Sequence, residues 1–355
     1  MARKATTLAD VAAAAGVSLS TASKVLNGTG RASEETRARV RETAERLDFR
    51  PNALARSFAS GQSELVGILI EDASEIFSSM VLRGAERRLA AAGLATLILD
   101  AQEDRRLRSQ QVRALDARRV DAVLVIGSGP DYPYPSITHE ISCPVAYAFC
   151  TSDAATDRAF LPDDRAAGRI AAEHLLSLGR TKIAHITEGS EYGSAERSRG
   201  FLEALAEAGL QPATGAPLAG DWSKEWGFRA ATELLDGDTE IDAIFCANDP
   251  IAYGAFAALR SRGVRVPEDV ALMGHDHFLQ EPKWRRSEFL TTIDPDLTGL
   301  GSTAAEFLID PSTAADTGTS TITPTLYVGR TTVSPAGDAP RSSTDDVLAV
   351  IDHLL

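Results

Sequence analysis

The sequence predicts a small N-terminal all-α module, a helix-turn-helix braced by a third helix, followed by a two-lobed α/β body built on doubly wound parallel sheets. Three observations carry that reading. The first fifty residues hold three sets of helix start and stop signals with Ala, Val and Leu at helical spacing between them. From residue 65 onward, apolar runs of strand length alternate with amphipathic helical stretches, the pattern of βα units. That second region runs for about 270 residues, more than one sheet comfortably organises, so two lobes are expected.

In chain order, Thr7-Leu-Ala-Asp10 sets a hydroxyl at an N-cap and a carboxylate three residues on, a capping box that opens a helix through about Ala14. Gly16 supplies the backbone freedom to end it. Ser18 caps a second helix, through about Leu26, with Ala22, Val25 and Leu26 facing inward, and Asn27, Gly28 and Gly30 stop it. Ser33 caps a third, in which Val40, Ala44 and Leu47 recur at helical spacing while Glu34 and Glu35 suit its positive N-terminal end. Two short helices around a glycine turn, braced by a third, are the geometry of a helix-turn-helix.

The body strands are expected at 65–70, 95–99, 122–126, 145–149, 182–186, 243–246 and 270–273, each apolar enough for a buried parallel strand, with a last strand around 326–333. Crossover helices fall at about 77–92, 104–118, 164–178, 195–208, 224–235 and 250–262. Asp249 reads as the N-cap of the helix that begins at Pro250. Thr291 to Asp294 reads as a turn.

Of the 355 residues, 44% are hydrophobic and 24% charged, an ordinary globular composition. No apolar run approaches the ~20 residues of a membrane span. The net charge of -14 conceals an asymmetry: residues 1–60 hold ten Lys or Arg against six Asp or Glu, a balance of +4, which leaves -18 on the rest. A basic module able to approach phosphates is thus attached to an acidic body that is not. Arg3 and Lys4 precede an apolar run at 11–17, but the run is mostly Ala and lacks the strongly hydrophobic centre of a secretion leader. The three cysteines, Cys143, Cys150 and Cys246, make no Cys-x-x-Cys pair and read as small buried hydrophobes in a reducing cytoplasm.

Enzymatic motifs are missing from the sequence. The loop Glu71-Asp72-Ala73-Ser74-Glu75 after the first strand has no glycine for a dinucleotide or phosphate cradle, and no Gly-x-Ser-x-Gly elbow or His-Glu-x-x-His helix occurs. His275-Asp276-His277 looks like a metal pair, but no further His or Cys clusters with it in the sequence. The expectation is a protein without cofactor or metal that is not an enzyme.

Thr7-Leu-x-Asp10-Val11-Ala12, Ala15-Gly16-Val17-Ser18-x-x-Thr21-x-Ser23-Lys24-Val25-Leu26-Asn27, Thr36-Arg37, and Pro51-Asn52-Ala53-Leu54-Ala55-Arg56-Ser57 resemble the headpiece of the lactose-repressor (LacI/GalR) family of transcription regulators. The resemblance continues through nearly the whole body. It implies that the second helix lies in the major groove of double-stranded, palindromic operator DNA, with Leu19, Ser20 and Lys24 at base edges and Ser18 and Thr21 nearer phosphates. Thr7, Asn27 and Arg31 complete the headpiece contacts. Lys24 can donate to guanine, Ser20 can pair with several bases, and Leu19 can only touch a group such as the thymine methyl. Residues 51–61 correspond to the family's hinge helix, in which Asn52, Ala55, Arg56 and Phe58 face the minor groove. Many relatives place a Leu wedge where this chain has Phe58, another apolar side chain able to open a base step.

For the body, the resemblance implies a periplasmic-binding-protein-like core at 62–333. Its lobes, about 62–163 with 291–322 and 164–290 with 323–333, would exchange chain three times and hold a small-molecule effector between them. The family's cleft positions fall on Arg197 in Arg197-x-x-Gly200-Phe201, Trp222 in Asp221-Trp222-Ser223, Asn248 in Ala247-Asn248-Asp249 and Asp276 in Gly274-His275-Asp276, with Asp294 close by. Arg, Asn and Asp can pair with sugar hydroxyls while Trp covers an apolar sugar face. Two departures bear on the effector. The first-lobe loop, usually Asp-x-Ser-Asn-Pro-Phe-Phe, reads Asp72-Ala73-Ser74-Glu75-Ile76-Phe77-Ser78, and Phe149 stands where some sugar repressors carry an Asp. Phe77, Phe149 and Trp222 could sandwich a nucleobase.

The resulting expectation is a cytoplasmic, homodimeric repressor gated by a sugar or oligosaccharide. A nucleoside-responsive relative and a solute carrier without DNA function are the alternatives, the latter at odds with the basic headpiece. Val347, Leu348, Ile351, Leu354 and Leu355 share a helical face in the tail at 334–355, as in relatives that join dimers into tetramers. That face is about three turns long and follows a Pro/Gly/Ser-rich tether, so a dimer is expected.

Overall fold

The computed structural model describes residues 6–28, 30–50, 61–131, 133–277, 289–313 and 317–333. Asn52, Ala55, Arg56 and Phe58 of the expected hinge, and the tail at 334–355, lie outside the described residues. The chain divides into two compact units, Met1–Leu65 with Arg119–Asp121, and Val66–Arg118 with Ala122–Leu355.

In the first unit the helices are α1 (Leu8–Ala15), α2 (Leu19–Leu26) and α3 (Glu34–Arg46). The capping box forms as expected: Thr7 Oγ1 accepts from the Asp10 N–H at 3.3 Å and Asp10 Oδ2 from the Thr7 N–H at 2.8 Å. Gly16 ends α1 with φ of 67°, and the Ser18 and Ser33 hydroxyls take the N–H groups of Thr21 and Thr36 at 3.1 and 3.2 Å. Val11, Ala12, Ala15, Ala22, Val25, Val40 and Ala44 are buried together. Leu26 and Leu47, expected in this core, are only half-buried, because each sits at the last turn of its helix. Arg39 ties α3 to the C-terminal end of α1 by donating to the Ala15 carbonyl at 3.1 Å.

Two sheets organise the second unit. The first takes β1 (Leu65–Ile70), β2 (Ala95–Asp100), β3 (Ala122–Ile126), β4 (Val145–Ala148), β5 (Arg158–Pro162) and, from far down the chain, β11 (Thr319–Ile322), in the order β11-β5-β4-β3-β1-β2. The second is β6 (Ile183–Glu188), β7 (Leu218–Gly220), β8 (Ala243–Cys246) and β9 (Ala271–Met273), all parallel in the order β7-β6-β8-β9. β10 (Thr292–Asp294) and β12 (Thr325–Tyr327) pair antiparallel as a separate ribbon. Around the sheets lie α4 (Ile76–Ala91), α5 (Arg105–Ala117), α6 (Asp164–Ser177), α7 (Tyr192–Glu207), α8 (Lys224–Asp236), α9 (Asp249–Ser261) and α10 (Leu297–Ile309). Although late in sequence, α10 packs its Leu297, Leu300, Ala304, Ala305 and Leu308 into the core of the first sheet.

Three helix pairs share one device. Gly84 of α4 and Gly301 of α10 each face a backbone carbonyl of the other helix; so do Gly168 and Gly200 in α6 and α7, and Gly227 and Gly254 in α8 and α9. A Cβ at any of the six would overlap the facing backbone, so these helices meet at a distance only glycine permits.

Several expectations are corrected. β5, β7, β11 and α10 carry no expected element, and Thr291 to Asp294 is largely strand rather than turn. β7 has three residues, β5 starts at Arg158 and ends at Pro162, and α10 contains Gly299 and Gly301, which weaken its helical signal. The last strand is Thr325–Tyr327 rather than 326–333, since the chain turns at Gly329 against the backbone of Leu290 and Phe289. β2 is partly exposed because it is a sheet edge. α7 begins at Tyr192, three residues before the expected 195. Cys150 and Cys246 are buried but Cys143 is only partly so.

Candidate functional site

In the first unit, burial of Ala22 and Val25 turns the opposite face of α2 to solvent. Leu19, an apolar side chain, is 54% exposed, and Ser18, Ser20, Lys24 and Asn27 are exposed beside it, with Thr21 half-buried. Thr7 and Arg31 are exposed as well. Gly30 leaves room for the Lys24 stem, since a Cβ there would stand 3.0 Å from its Cδ. Arg37 donates to the Gly30 and Ala32 carbonyls at 3.1 and 3.3 Å and so fixes the loop that carries Arg31.

In the second unit the loops at the C-terminal ends of β1, β3, β4, β5, β6, β7, β8, β9 and β10 surround a cavity of about 400 Å3. Open α/β sheets present ligand crevices at these ends. Of the expected residues, Phe77, Phe149, Arg197, Trp222, Asn248 and Asp276 line it. Asp294 does not; β10 directs the chain so that Pro295 and Leu297, just beyond it, reach the cavity instead.

Arg197 is the hub. The residue is only 8% exposed; its Nε lies 3.0 Å from Asp164 Oδ1 and donates to the Gly193 carbonyl at 3.1 Å, while Nη1 donates to the Ala247 carbonyl. Its guanidinium also lies 5.3 Å from the Trp222 ring centre. The Gly168 and Gly200 contact between α6 and α7 makes this possible, because it brings Asp164, the first residue of α6, beside an arginine of α7. Burial pushes the Asp164 carboxyl above its ordinary value, against the opposing pull of Arg197. Asp276 Oδ1 lies 2.7 Å from His275 Nδ1, and the Asp276 N–H donates to the Ile293 carbonyl at 2.8 Å. These contacts hold Asp276 at φ of 99°. Phe149, whose N–H donates to the Phe160 carbonyl, sits at φ of 56°; both values are uncommon for residues with a Cβ, and both residues stand at the cavity wall.

Asn248, rather than Asp249, is the N-cap of α9. Its Oδ1 takes the Ile251 N–H at 2.8 Å and its Nδ2 donates to the Trp222 carbonyl at 3.2 Å, whereas Asp249 accepts from the Thr292 hydroxyl at 2.6 Å. The extended φ and ψ of Asn248 place its side chain over the first turn, as a cap requires. Phe77 and Phe149 lie 6.2 Å apart with their rings tilted by 52°. Glu75, Asp131, Asp164, Glu191 and His275 also line the cavity; the sequence drew notice to His275 only as part of a metal-like pair and to Glu75 only within its loop, and assigned none of the five to ligand. Each falls within a few residues of a strand's C-terminal end, the one signal that could have found them.

Residues 7–52 match the family model for bacterial regulatory proteins of the lacI family, and residues 63–331 match that for periplasmic binding proteins and the sugar binding domain of the LacI family. The chain is similar to the HTH-type transcriptional regulator GalR of Escherichia coli K12, 30% identical over 96% of this chain and 99% of GalR. It is also similar to the ribose operon repressor of the same organism, 31% identical over 85% of this chain and 92% of that one. Its fold matches the lac repressor dimer bound to operator and the anti-inducer ONPF, with a TM-score of 0.70, 27% identity and coverage of 93% and 100% of the two chains. An α-helical reading unit followed by a two-sheet unit with a cavity at its strand ends, matched over nearly its full length, places the chain in the lacI family of DNA-binding bacterial transcriptional regulators.

Proposed function

We propose that the protein is a cytoplasmic homodimeric repressor that binds a palindromic operator and is gated by a sugar or oligosaccharide in the cavity of its second unit. It binds this molecule without turning it over and uses no cofactor. The observation that carries the reading is the meeting of Arg197, Asn248, Asp276 and Trp222 around one cavity. Asp accepts hydroxyl protons, Arg donates to ring and hydroxyl oxygens, and Trp offers a flat apolar face, the complement of a polyhydroxylated ring. Leu19, Ser20 and Lys24 read base edges, and the segment at 51–61 serves as the hinge through which effector and operator bias one two-state equilibrium. A reciprocal coupling of about 1 to 3 kcal/mol is typical of such devices.

The test is a thermal-shift screen of the full chain against sugars, oligosaccharides and nucleosides, because a ligand of the native state stabilises by mass action. Asp276→Asn and Trp222→Ala are expected to erase the shift and the operator response to the same ligand, while operator affinity measured by fluorescence anisotropy stays within about threefold. Variants that respond like the parent protein would assign the effector to another site. Phe77 and Phe149, 6.2 Å apart at the cavity wall, favour a second reading in which a nucleobase is sandwiched there. The nucleoside arm of the screen separates the two.

A further inference from the structure

The cavity sets a rule for the charge of its occupant, which rests on the reading of that cavity as the effector site. Glu75, Asp131, Asp164, Glu191 and Asp276 contribute five carboxylates to its wall, and among the described residues Arg197 is the one Lys or Arg that lines it. The charge of Arg197 is already offset by two carboxylates, with Nε 3.0 Å from Asp164 Oδ1 and Nη1 4.0 Å from Asp276 Oδ1.

Helix N-termini are the other ordinary resource for binding an anion. Several of them meet at the cavity: α4 has no side-chain cap but carries the Glu75 carboxylate at its N-cap, and each of the others has at least one N–H already taken by a side chain. Asp163 takes the Ala166 N–H of α6 at 2.9 Å, Asn248 takes that of Ile251 in α9 at 2.8 Å, and Asp296 takes that of Gly299 in α10 at 2.9 Å. The start of α7 is closed by two carboxylates: Glu188 accepts from the Glu191 N–H at 2.8 Å, and Asp131, from the loop after β3, accepts from the Tyr192 N–H at 2.6 Å.

An independent observation points the same way. His275 lines the cavity, is 2% exposed, and its Nε2 has no hydrogen-bond partner among the described residues. Its Nδ1 lies 2.7 Å from Asp276 Oδ1, which can only accept, and 3.1 Å from Arg197 Nη1, which can only donate; the shorter contact is the one a ring proton on Nδ1 answers. With the proton on Nδ1, Nε2 is a lone pair awaiting a donor. A buried acceptor left unmatched is costly, and a hydroxyl or ammonium group would satisfy it, whereas a phosphate or carboxylate oxygen would not.

We propose that the cavity selects an occupant rich in hydrogen-bond donors and free of negative charge, a neutral or amine-bearing sugar, and rejects sugar phosphates, uronic acids and nucleotides. Matched sets test this on the full chain by thermal shift and isothermal titration: D-glucose with glucose 6-phosphate, D-glucuronate and D-glucosamine; D-ribose with ribose 5-phosphate; cellobiose with cellobionate; adenosine with AMP. In whichever set binds, the neutral or amine member is expected to bind and its anionic congener to bind at least about 100-fold more weakly. Asp131→Asn combined with Glu191→Gln is expected to narrow that gap while keeping the hydrogen-bonding shape. An anionic member that binds as well as its neutral counterpart overturns the rule yet leaves the sugar reading standing. Adenosine binding without AMP, and with no sugar bound, upholds the rule and overturns the sugar reading.

Discussion

Lys24 illustrates how one exposed side chain separates two kinds of DNA contact. Lys24→Ala is expected to weaken operator binding by about 1 to 3 kcal/mol and to relax preference at one base pair, if the ammonium meets a base edge. Anisotropy titrations against an operator library check this; equal loss on every sequence would assign Lys24 to phosphate. His185 makes a different point. It is wholly buried, stacked 4.6 Å from Phe245, with Nδ1 3.0 Å from the Phe245 carbonyl and Nε2 3.0 Å from the Ser198 hydroxyl. Burial pushes its pKa down from 6.5 to about 4. The unfolded chain therefore binds the proton first, so stability is full above about pH 6.5 and falls as the pH drops toward about 4, by up to about 3 kcal/mol from this residue. Denaturant unfolding across that window should show a shallower pH slope in His185→Gln. Arg197 carries a structural duty alongside its place in the cavity. Arg197→Ala leaves Asp164 buried without its cation and is expected to cost about 3 to 5 kcal/mol, read as a lowered denaturation midpoint. The gentler Asp276→Asn is for that reason the better probe of effector response.

Among the elements, the reciprocal glycines give the sharpest expectation. Gly200→Ala or Gly254→Ala would force a methyl group into the backbone of the facing helix, at a cost of about 1 to 3 kcal/mol or more as the pair is pushed apart. Gly209, at φ of 73° with open space where a methyl group would stand, is the control. Its alanine variant pays only for the left-handed backbone, about 1 to 2 kcal/mol. For Gly200 the opened α6 and α7 contact should also impair ligand binding, since it sets the Arg197 and Asp164 pair, while Gly209→Ala should leave binding unchanged. These glycines also explain what was legible in the sequence. The caps at Thr7, Ser18 and Ser33 are local events, a hydroxyl and an N–H three residues on, and could be read directly. So could long apolar strands such as β1 and β3. α10 could not, because Gly299 and Gly301 look like helix breakers until the Val81 carbonyl that Gly301 must admit is known. The cavity was partly legible: Arg197, Asn248, Asp276 and Trp222 were found by resemblance, whereas Asp131 and Glu191 come together only through the meeting of two sheets, which no local pattern encodes.

For the whole molecule, assembly is the first expectation. Light scattering is expected to give a dimer for the full chain and for a truncation after Val333, and a tetramer that reverts to a dimer on truncation would make the tail an assembly element. The basic charge of the first sixty residues further predicts that operator affinity falls steeply as salt rises, while ligand affinity for the cavity does not. The placement of β11 and α10 has another consequence, in the order of synthesis. The first sheet begins at residue 65, yet its edge strand ends at Ile322 and the helix that covers Phe160 and Leu124 spans Leu297–Ile309. On a ribosome adding about 5 to 20 residues each second, the earliest strands emerge many seconds before the helix that buries them, with the entire second sheet made in between. The growing chain thus carries an apolar face that stays uncovered until residues 297–309 are made, a face to which a chaperone can bind. A chain released after residue 290 is expected to bind the dye ANS and to be captured by a holdase, and supplying residues 291–333 in trans should suppress both.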